Sequence, residues 1–488
     1  MSRVQRPNSV SRVATMAMLG LLAGCNPGQK YQRPVVPAPP EYKESVPPSN
    51  PPHGTWKTAV PNDQVLRGDW WKLYRDPQLD ALEDRISVNN QTLRAATEKY
   101  LQARSQVAIA HSSFFPTLLA GPSAAREKYS SNRPLNTPGS ETEFTDLVLS
   151  GQASWEPDLW GRVRRSVESA RANAQASAAD LANVEVSVRT ELALDYFELR
   201  GLDTQQQLLD STVKSDEDYY HLTLIRFRSG LAAESDVALA QTQLESIRAK
   251  AIDTGAARAQ YEHAIATLTG QPASTFSLPS APLTLKLPVI PNSVPSELLE
   301  RRPDIAAAER RALAANAQIG MAQTAYYPNI SLTGIGGFES TGFGSWIQGP
   351  SILWSLGGSA TQTLFDAGRR HAITEQARAA YEASAANYRQ SVLNGFQEVE
   401  DNLAALRILD HEATTQQIAV TAAERSLHLS VERYRGGLTT YLEVLTTQTA
   451  QLTSQRTAAD ITTRQFAASV QLIKALGGGW NTTQLPKP

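Results

Sequence analysis

The sequence predicts a mainly α-helical protein with a small membrane β-sheet, built from two similar halves. Two stretches, 162–229 and 369–436, contain no proline and carry apolar residues at steps of three and four, which is typical of long helices. Short segments between the helices alternate apolar and polar residues, which is typical of strands. Glycine and arginine landmarks recur at a constant spacing, so we expect the halves to share one plan of helix, strand, strand, helix, helix.

The N-terminus has the pattern of a bacterial lipoprotein signal. Arginines precede an apolar run over 13–23, which is too short to cross a bilayer because a spanning helix needs about 20 apolar residues. The run ends in a Leu-Ala-Gly-Cys box at Cys25. We therefore predict that 1–24 is a lipoprotein signal peptide and that Cys25 becomes a lipidated first residue. By resemblance, Asn26 after the cysteine permits sorting to the outer membrane.

Cys25 is the only cysteine, which excludes an intrachain disulfide or a cysteine-cluster metal site. Residues 25–78 are predicted to form a lipidated, proline-rich tether and an equatorial segment. The tether leads through Trp70-Trp71 and Asp76-Pro77 into the first helix.

The domain plan follows from the repeat. Residues 79–275 are predicted to be the first structural repeat and 295–479 the second, with a linker at 276–294 and a tail at 480–488. A spacing of 207 residues relates several landmark pairs: Gly161 and Gly368, Arg162 and Arg369, Arg200 and Arg407, Arg226 and Arg433, and Gly230 and Gly437.

Each half contains a helix–glycine–leucine–helix corner, at 230–231 and at 437–438. The glycines suit the left-handed residue that ends a helix, and preceding arginines favour a helix C-terminus. After the second corner, Thr440 and Glu443 are spaced as a capping box for the next helix. The sequence therefore predicts two helical hairpins with similar tips. At 1.5 Å per residue their long helices would be roughly 100 Å long, enough to cross an aqueous compartment.

Alternation is clearest at 147–155 and 330–338, with weaker partner strands at 116–126 and 355–365. A half-buried hairpin of a soluble protein is the alternative explanation. The lipoprotein signal and the very long helices favour strands of an outer-membrane barrel.

Four strands cannot close a barrel, and open strand edges are not tolerated in hydrocarbon. Three copies would supply about twelve strands, within the range of bacterial barrels. The sequence therefore predicts a homotrimer with a 12-strand outer-membrane β-barrel, continued by a long periplasmic α-helical barrel.

Other function classes find little support. The net charge of −2 gives no basic field for nucleic acid, and no phosphate-binding G-x-x-x-x-G-K-[ST] loop is present. The seven histidines are scattered, without H-E-x-x-H or G-x-S-x-G, so we predict no catalytic residue, no metal site, no cofactor beyond lipid on Cys25, and no enzyme. A cell-envelope enzyme and a structural coiled-coil lipoprotein are the alternatives from other classes.

The motifs together resemble one family, the TolC-like outer-membrane efflux channels, in the OprM/NodT-type lipoprotein branch. They are Trp70-Trp71 with Asp76-Pro77, the Leu-Glu-Arg-Arg-Pro-Asp-Ile-Ala-Ala-Ala-Glu run over 299–309, Tyr-Tyr-Pro over 326–328, and the two glycine–leucine tips. The resemblance covers nearly the whole mature chain. It implies an exit duct of a tripartite efflux pump, with a type I secretion duct as the alternative.

The resemblance also implies partners: a periplasmic membrane-fusion adaptor and an inner-membrane pump of the resistance–nodulation–division (RND) type. By motif position, the adaptor contacts are Gly230, Leu231, Gly437 and Leu438. An iris-like periplasmic gate is implied at Asp236, Tyr434, Leu442, Glu443 and Thr446. Thr446 stands where the OprM branch has an aspartate, so Asp236 and Glu443 are the candidate acids, or closure relies on Leu442.

Overall fold

The computed structural model describes residues 28–37, 39, 42–44, 68–130, 142–288, 290, 301–480 and 482–486. The predicted signal peptide, Cys25 and most of the proline-rich tether lie outside the described residues.

The described chain contains seven α-helices and one four-stranded sheet. A short 3₁₀ helix, Trp70–Tyr74, comes first. The others, in chain order, are α1 (Pro77–Asn89), α2 (Gln91–Ser112), β1 (Thr117–Lys128), β2 (Glu143–Trp155), α3 (Arg162–Arg228), α4 (Glu234–Leu268), α5 (Pro303–Thr324), β3 (Asn329–Ser340), β4 (Ile352–Thr361), α6 (Arg369–Arg435) and α7 (Tyr441–Ala475).

The sheet has the order β1-β2-β3-β4, and all its pairs are antiparallel. Directly opposite residues share a face, so the register separates two surfaces. One face carries Leu118, Leu149, Leu332, Trp354 and Leu356, and the other carries Ser150, Gln152, Thr333, Ser355 and Ser359. An apolar face and a hydroxyl-rich face suit a sheet with lipid on one side and water on the other.

The helices nearest the sheet repeat the order of the strands. Helix α2 leads into β1, α3 follows β2, α5 leads into β3, and α6 follows β4. The contacts run α2 to α3, α3 to α5, and α5 to α6. The chain is therefore a wall-like layer in which each strand continues as a helix. Further from the sheet, α3 pairs with α4 and α6 pairs with α7.

The two longest helices contain 67 residues each, as their lack of proline predicts. Gly161 and Gly368 precede them with φ of 81° and 87°, a left-handed conformation that glycine adopts without strain. The predicted packing stripes are confirmed, since Leu192, Tyr196 and Val392 are at most 1% exposed. None of the helices within the described ranges combines the length and the apolar character needed to traverse a bilayer.

The largest apolar core lies at mid-height, where Trp70, Trp71 and Tyr74 pack against Phe197 and Phe466. The motif that leads into the first helix has a physical role here. The carboxylate of Asp76 accepts a hydrogen bond from Gln78 N at 2.9 Å and caps α1, and it also accepts one from the Tyr196 hydroxyl.

The arginine of the Arg-Pro-Asp motif joins three helices. The Arg302 guanidinium donates to Asp304 at 2.6 Å, to Glu398 on α6 at 2.6 Å, and to the Ala475 carbonyl at the end of α7 at 3.2 Å. Pro303 is the first residue of α5, where its missing N–H is not needed.

An N-terminal strap, residues 28–37, runs along this wall. Arg165 donates to the Gly28 carbonyl at 3.4 Å, Asn316 donates to the Gln29 carbonyl at 3.2 Å, and Arg33 donates to the Tyr388 hydroxyl at 3.0 Å. The tether is therefore attached to the helices where the structure describes it.

All four predicted strands exist, but their ranges need correction. The strand expected at 147–155 is Glu143–Trp155, and the one expected at 330–338 is Asn329–Ser340. The strand expected at 355–365 is Ile352–Thr361, and Leu364 and Phe365 lie beyond its end. The strand expected at 116–126 is Thr117–Lys128.

Close packing between α3 and α7 gives a stability prediction. A Cβ at Gly201 would lie 2.3 Å from Thr463 Oγ1 and 3.0 Å from Thr463 Cγ2, so Gly201→Ala must push the helices apart. We expect a loss of about 1–3 kcal/mol in the free energy of unfolding, measured by urea titration.

Gly255→Ala on α4 is the matched control, because nothing lies within 4 Å of its added Cβ. It should be neutral or stabilise the protein by about 0.5–1 kcal/mol, since alanine has the higher helix propensity. Equal effects of the two substitutions would contradict the packing explanation.

Candidate functional site at the helical tips

Two corners of the same backbone geometry close the helical hairpins. In the first, Gly230 N donates to the Phe227 carbonyl and Leu231 N to the Arg226 carbonyl, at 2.9 and 2.8 Å. In the second, the bonds run from Gly437 N to Tyr434 and from Leu438 N to Arg433, at 3.0 and 2.9 Å. The glycines have φ of 71° and 75°, which confirms the predicted left-handed helix ends.

Both corner leucines point away from the protein. Leu231 is 72% exposed and Leu438 is 75% exposed. Two apolar side chains held at corners of the same backbone geometry form a surface that a partner can cover. Their assignment as adaptor contacts, with Gly230 and Gly437, stays a prediction.

Behind the corners, one arginine joins the two hairpins. Arg226 at the end of α3 donates to the Tyr434 carbonyl at 2.6 Å, and its guanidinium lies 4.7 Å from the centre of the Tyr434 ring. The Tyr434 hydroxyl is 3.0 Å from Thr223 Oγ1. Tyr434 is buried in a small cluster with Val431, Tyr441 and other apolar residues, and its role in a gate stays a prediction.

A buried carboxylate makes a second link between the hairpins. Gln448 Nε2 on α7 donates to Asp216 Oδ1 on α3 at 2.6 Å, and both side chains are buried. Asp216 Oδ2, Gln448 Oε1 and the Tyr441 hydroxyl have no hydrogen-bond partner within the described chain. Burial raises the pKa of Asp216 to about 6, because the carboxylate has lost water that these contacts only partly replace.

The predicted capping box at Thr440 and Glu443 is wrong. Thr440 is the residue before α7, but its side chain makes no capping hydrogen bond. Glu443 instead accepts hydrogen bonds from the preceding threonine, Thr439, and from Arg433 at 3.1 Å. The Thr439 hydroxyl, one position before Thr440, donates to the Glu443 carboxylate, and Arg433 balances the charge of that carboxylate.

The remaining predicted gate residues lie on helix surfaces near the tips. Leu442 is 58% exposed, and Thr446 is exposed one turn later on α7, where its hydroxyl donates to the Leu442 carbonyl at 2.8 Å. Asp236 is half-buried in the first turn of α4. Their role in a gate stays a prediction, because a gate around a central channel axis would be formed by several chains.

Sequence reasoning missed Thr223, Asp216 and Gln448, and it used Arg226 only as a repeat landmark and as a basic residue near a helix end. The missed residues join positions more than 200 residues apart, which no local periodicity reveals. The 207-residue offset was the one available signal, since it aligns the two tips. Within the described residues, no group of three or more His, Cys, Asp or Glu side chains could hold a metal ion.

Comparisons with known proteins agree over most of the chain. The sequence model of a family described as outer membrane efflux protein matches residues 82–271 and 294–478. The pyoverdine export outer membrane protein OpmQ of Pseudomonas aeruginosa is 31% identical over 417 residues, covering 85% of this chain and 88% of OpmQ. The probable efflux pump outer membrane protein TtgC of Pseudomonas putida is 30% identical over 465 residues, covering 94% of each chain.

Solved structures show the same fold. The outer-membrane channel OprN superposes with a TM-score of 0.84 at 28% identity, covering 93% of this chain and 100% of that one. The open state of the Neisseria gonorrhoeae MtrE outer membrane channel gives a TM-score of 0.81 at 28% identity, covering 94% and 99%.

The buried carboxylate predicts a pH dependence of stability. Its pKa of about 6 in the folded protein exceeds the value of about 3.9 for an exposed aspartate, so the folded state binds the proton more tightly. Stability should therefore rise as the pH falls from about 7 towards 4, by roughly 1–2 kcal/mol. Urea unfolding measured across this range tests the expectation.

Asp216→Asn should remove this part of the slope and stabilise the protein at pH 8, because the amide is neutral. Asp210→Asn, at an exposed position on the same helix, is the control and should retain the slope. An unchanged slope in Asp216→Asn would show that another group titrates.

Proposed function

We infer that this chain, which belongs to the outer membrane efflux protein family, is the exit duct of an efflux pump. It is an outer-membrane efflux channel that extends into the periplasm, as its relatives and structural neighbours are. The observation that carries this function is the family match over both halves, on a wall in which four strands continue as four helices. A duct is passive, and the energy for export would come from its partners. We therefore assign no catalytic residue and no cofactor to this chain.

As the outer-membrane component, the chain works with an adaptor and an inner-membrane pump. We propose that the adaptor covers the corners at Leu231 and Leu438, and that the pump is of the proton-driven RND type. Support comes from relatives named as efflux-pump components, among them a toluene efflux protein and a cation efflux protein. The relatives are named for different exported compounds, so we assign no single substrate to this chain.

The duct is proposed to be a homotrimer with a shared barrel of twelve strands. Within the described chain, β1 and β4 each lack a neighbour on one side, and their free backbone groups must be paired within the hydrocarbon. Apolar residues on one face of the sheet and hydroxyls on the other support a barrel around a water-filled lumen.

The membrane anchor is proposed to be lipid on Cys25. The strap supports this, since Gly28 is attached to α3 three residues after that cysteine. Intact-mass measurement of the mature chain should show the added lipid, and Cys25→Ser should lose it. An unlipidated wild-type chain would refute the anchor without affecting the barrel.

Trimer formation has a direct measurement. Native mass spectrometry of the detergent-purified protein should give three times the mass of the mature chain, because three sheets close one barrel. A monomer, or a stable assembly of an even number of chains, would contradict the proposed barrel.

We further propose that the duct closes near its periplasmic end at Leu442, with Asp236 supplying acid beside it. Glu443 contributes less net charge because Arg433 pairs with it at 3.1 Å. Carboxylates around a narrow axis favour cations. Arg226 and Asp216 would hold the two hairpins together in the closed form.

Leu442→Ser should widen this constriction, because three leucine side chains would be shortened together. Single-channel conductance in a planar bilayer should rise by about twofold or more, because the width of the narrowest point limits the ion current. Ala450→Ser, at an exposed position two turns further along α7, is the control and should conduct like the wild type.

Asp236→Asn should lower cation preference, read as a smaller reversal potential in a salt gradient. A wild-type conductance for Leu442→Ser together with an unchanged reversal potential for Asp236→Asn would place the gate elsewhere. Absence of any conductance in both the wild-type and the Leu442→Ser trimers would argue against a duct.

A further inference from the structure

A groove of about 690 Å³ lies between α2 and α3, just below the sheet. Along α2 it runs from Tyr100 to Ser112, which is roughly 18 Å at the helical rise, and it reaches Phe115 beyond the end of the helix. The tail closes one side, where Gln175 donates to the Pro486 carbonyl at 3.0 Å.

The groove is positively charged. Arg104 and Arg171 line it, and no aspartate or glutamate does. Neither arginine makes a salt bridge or a side-chain hydrogen bond within the described chain, whereas Arg162, Arg164 and Arg165 are all paired with acids. Two unpaired guanidinium groups facing one space favour an anion, and phosphate matches their geometry.

The same groove has an apolar floor. Val107, Ala108 and Ala174 line it, and Phe115 at its upper end is 62% exposed. The His111 ring packs on Phe115 with ring centres 5.8 Å apart. A free phosphate ion would leave this apolar surface in water, so the groove fits an anion that carries a hydrocarbon chain.

The upper end of the groove lies at the membrane interface. Phe115 comes two residues before β1, and Trp155 at the end of β2 donates to the Phe114 carbonyl at 3.0 Å. Nearby, Trp160 stacks on Tyr327 with ring centres 5.1 Å apart. Aromatic residues at the base of a membrane sheet mark the boundary between lipid and water.

The groove opens on the outer side of the wall, a step that rests on the proposed lipid anchor. Both described chain ends contact α3, Gly28 through Arg165 and Pro486 through Gln175. The strap leads back to Cys25, and lipid on Cys25 must lie outside the duct. In the proposed trimer, the next copy meets the free edge of β1, while this groove lies between helices of one protomer.

We propose that this groove binds one anionic phospholipid from the membrane leaflet that faces the periplasm. Its phosphate lies between Arg104 and Arg171, and an acyl chain runs along Val107, Ala108 and Phe115 towards the bilayer. Such a lipid fixes the depth at which helices give way to strands.

The test uses the full-length, detergent-purified protein after removal of bound lipid. Native mass spectrometry should show phosphatidylglycerol binding in preference to phosphatidylcholine at equal concentration. The double variant Arg104→Gln/Arg171→Gln should weaken phosphatidylglycerol binding by about tenfold or more, since each arginine near a lipid surface contributes about 1 kcal/mol. Arg94→Gln, at an exposed position on the same helix, is the matched control and should bind like the wild type.

Ala108→Trp should also reduce lipid binding, because the indole fills the exposed floor without changing the charge. Equal binding of both lipids, an equal loss in Arg94→Gln, or full displacement by inorganic phosphate alone would overturn the proposal. Lipid binding that appears only after removal of residues 487–488 would also overturn it, by showing that the end of the chain fills the groove. Conductance of the double variant should match the wild type, so a failed lipid test remains distinct from a failed duct.

Discussion

The two free edges of the sheet determine how the rest of this protein is built. Unpaired backbone N–H and C=O groups cost several kcal/mol each in hydrocarbon, so in the proposed barrel β1 and β4 would need neighbours that the described chain does not supply. Each strand continues directly as a helix. The order in which the strands pair therefore also sets the order of the helices α2, α3, α5 and α6. A protomer is therefore a strip of wall, and neither its sheet nor its helices enclose a space alone.

Duplication supplies the strip with equivalent backbone corners, and sequence divergence gives the corners different tasks. Glycines with positive φ recur at the starts of the long helices, at the tips and at the ends of the returning helices: Gly161 and Gly368, Gly230 and Gly437, and Gly270 and Gly477. The side chains around the tips have not stayed equivalent. In the first hairpin, Arg226 donates to the Tyr434 carbonyl of the second, and Asp216 accepts from Gln448 of the second. The hairpins are alike in path and complementary in chemistry.

This division explains what the sequence could and could not predict. Helix bounds at 162–229 and 369–436 agree with the structure to one residue, because glycine and the absence of proline act locally. The predicted range of the last strand ended too late, because the apolar Leu364 and Phe365 extend the alternating pattern. Both residues lie beyond the end of the strand and are exposed. The predicted capping box at Thr440 is wrong because the Thr439 hydroxyl, rather than Thr440, binds the Glu443 carboxylate. The Arg226–Tyr434 contact was beyond reach, since it depends on how two distant helices meet.

The distribution of contacts also indicates where a proposed gate could move. At mid-height, α3 and α7 approach so closely that Gly201 has no room for a methyl group, and a cluster of aromatic rings fills the adjoining core. Separating the helices there would expose packed apolar surface and open cavities. At the tips, the hairpins are joined by a small apolar cluster around Tyr434 and Tyr441 and by a few polar contacts, and hydrogen bonds to charged groups contribute about 1.5–3 kcal/mol each. Water can replace the polar contacts when the hairpins part, and the apolar cluster exposed there is smaller than the core at mid-height, so bending is cheapest between the aromatic core and the corners. A partner that binds Leu231 and Leu438 would act on the part of the duct that yields most easily.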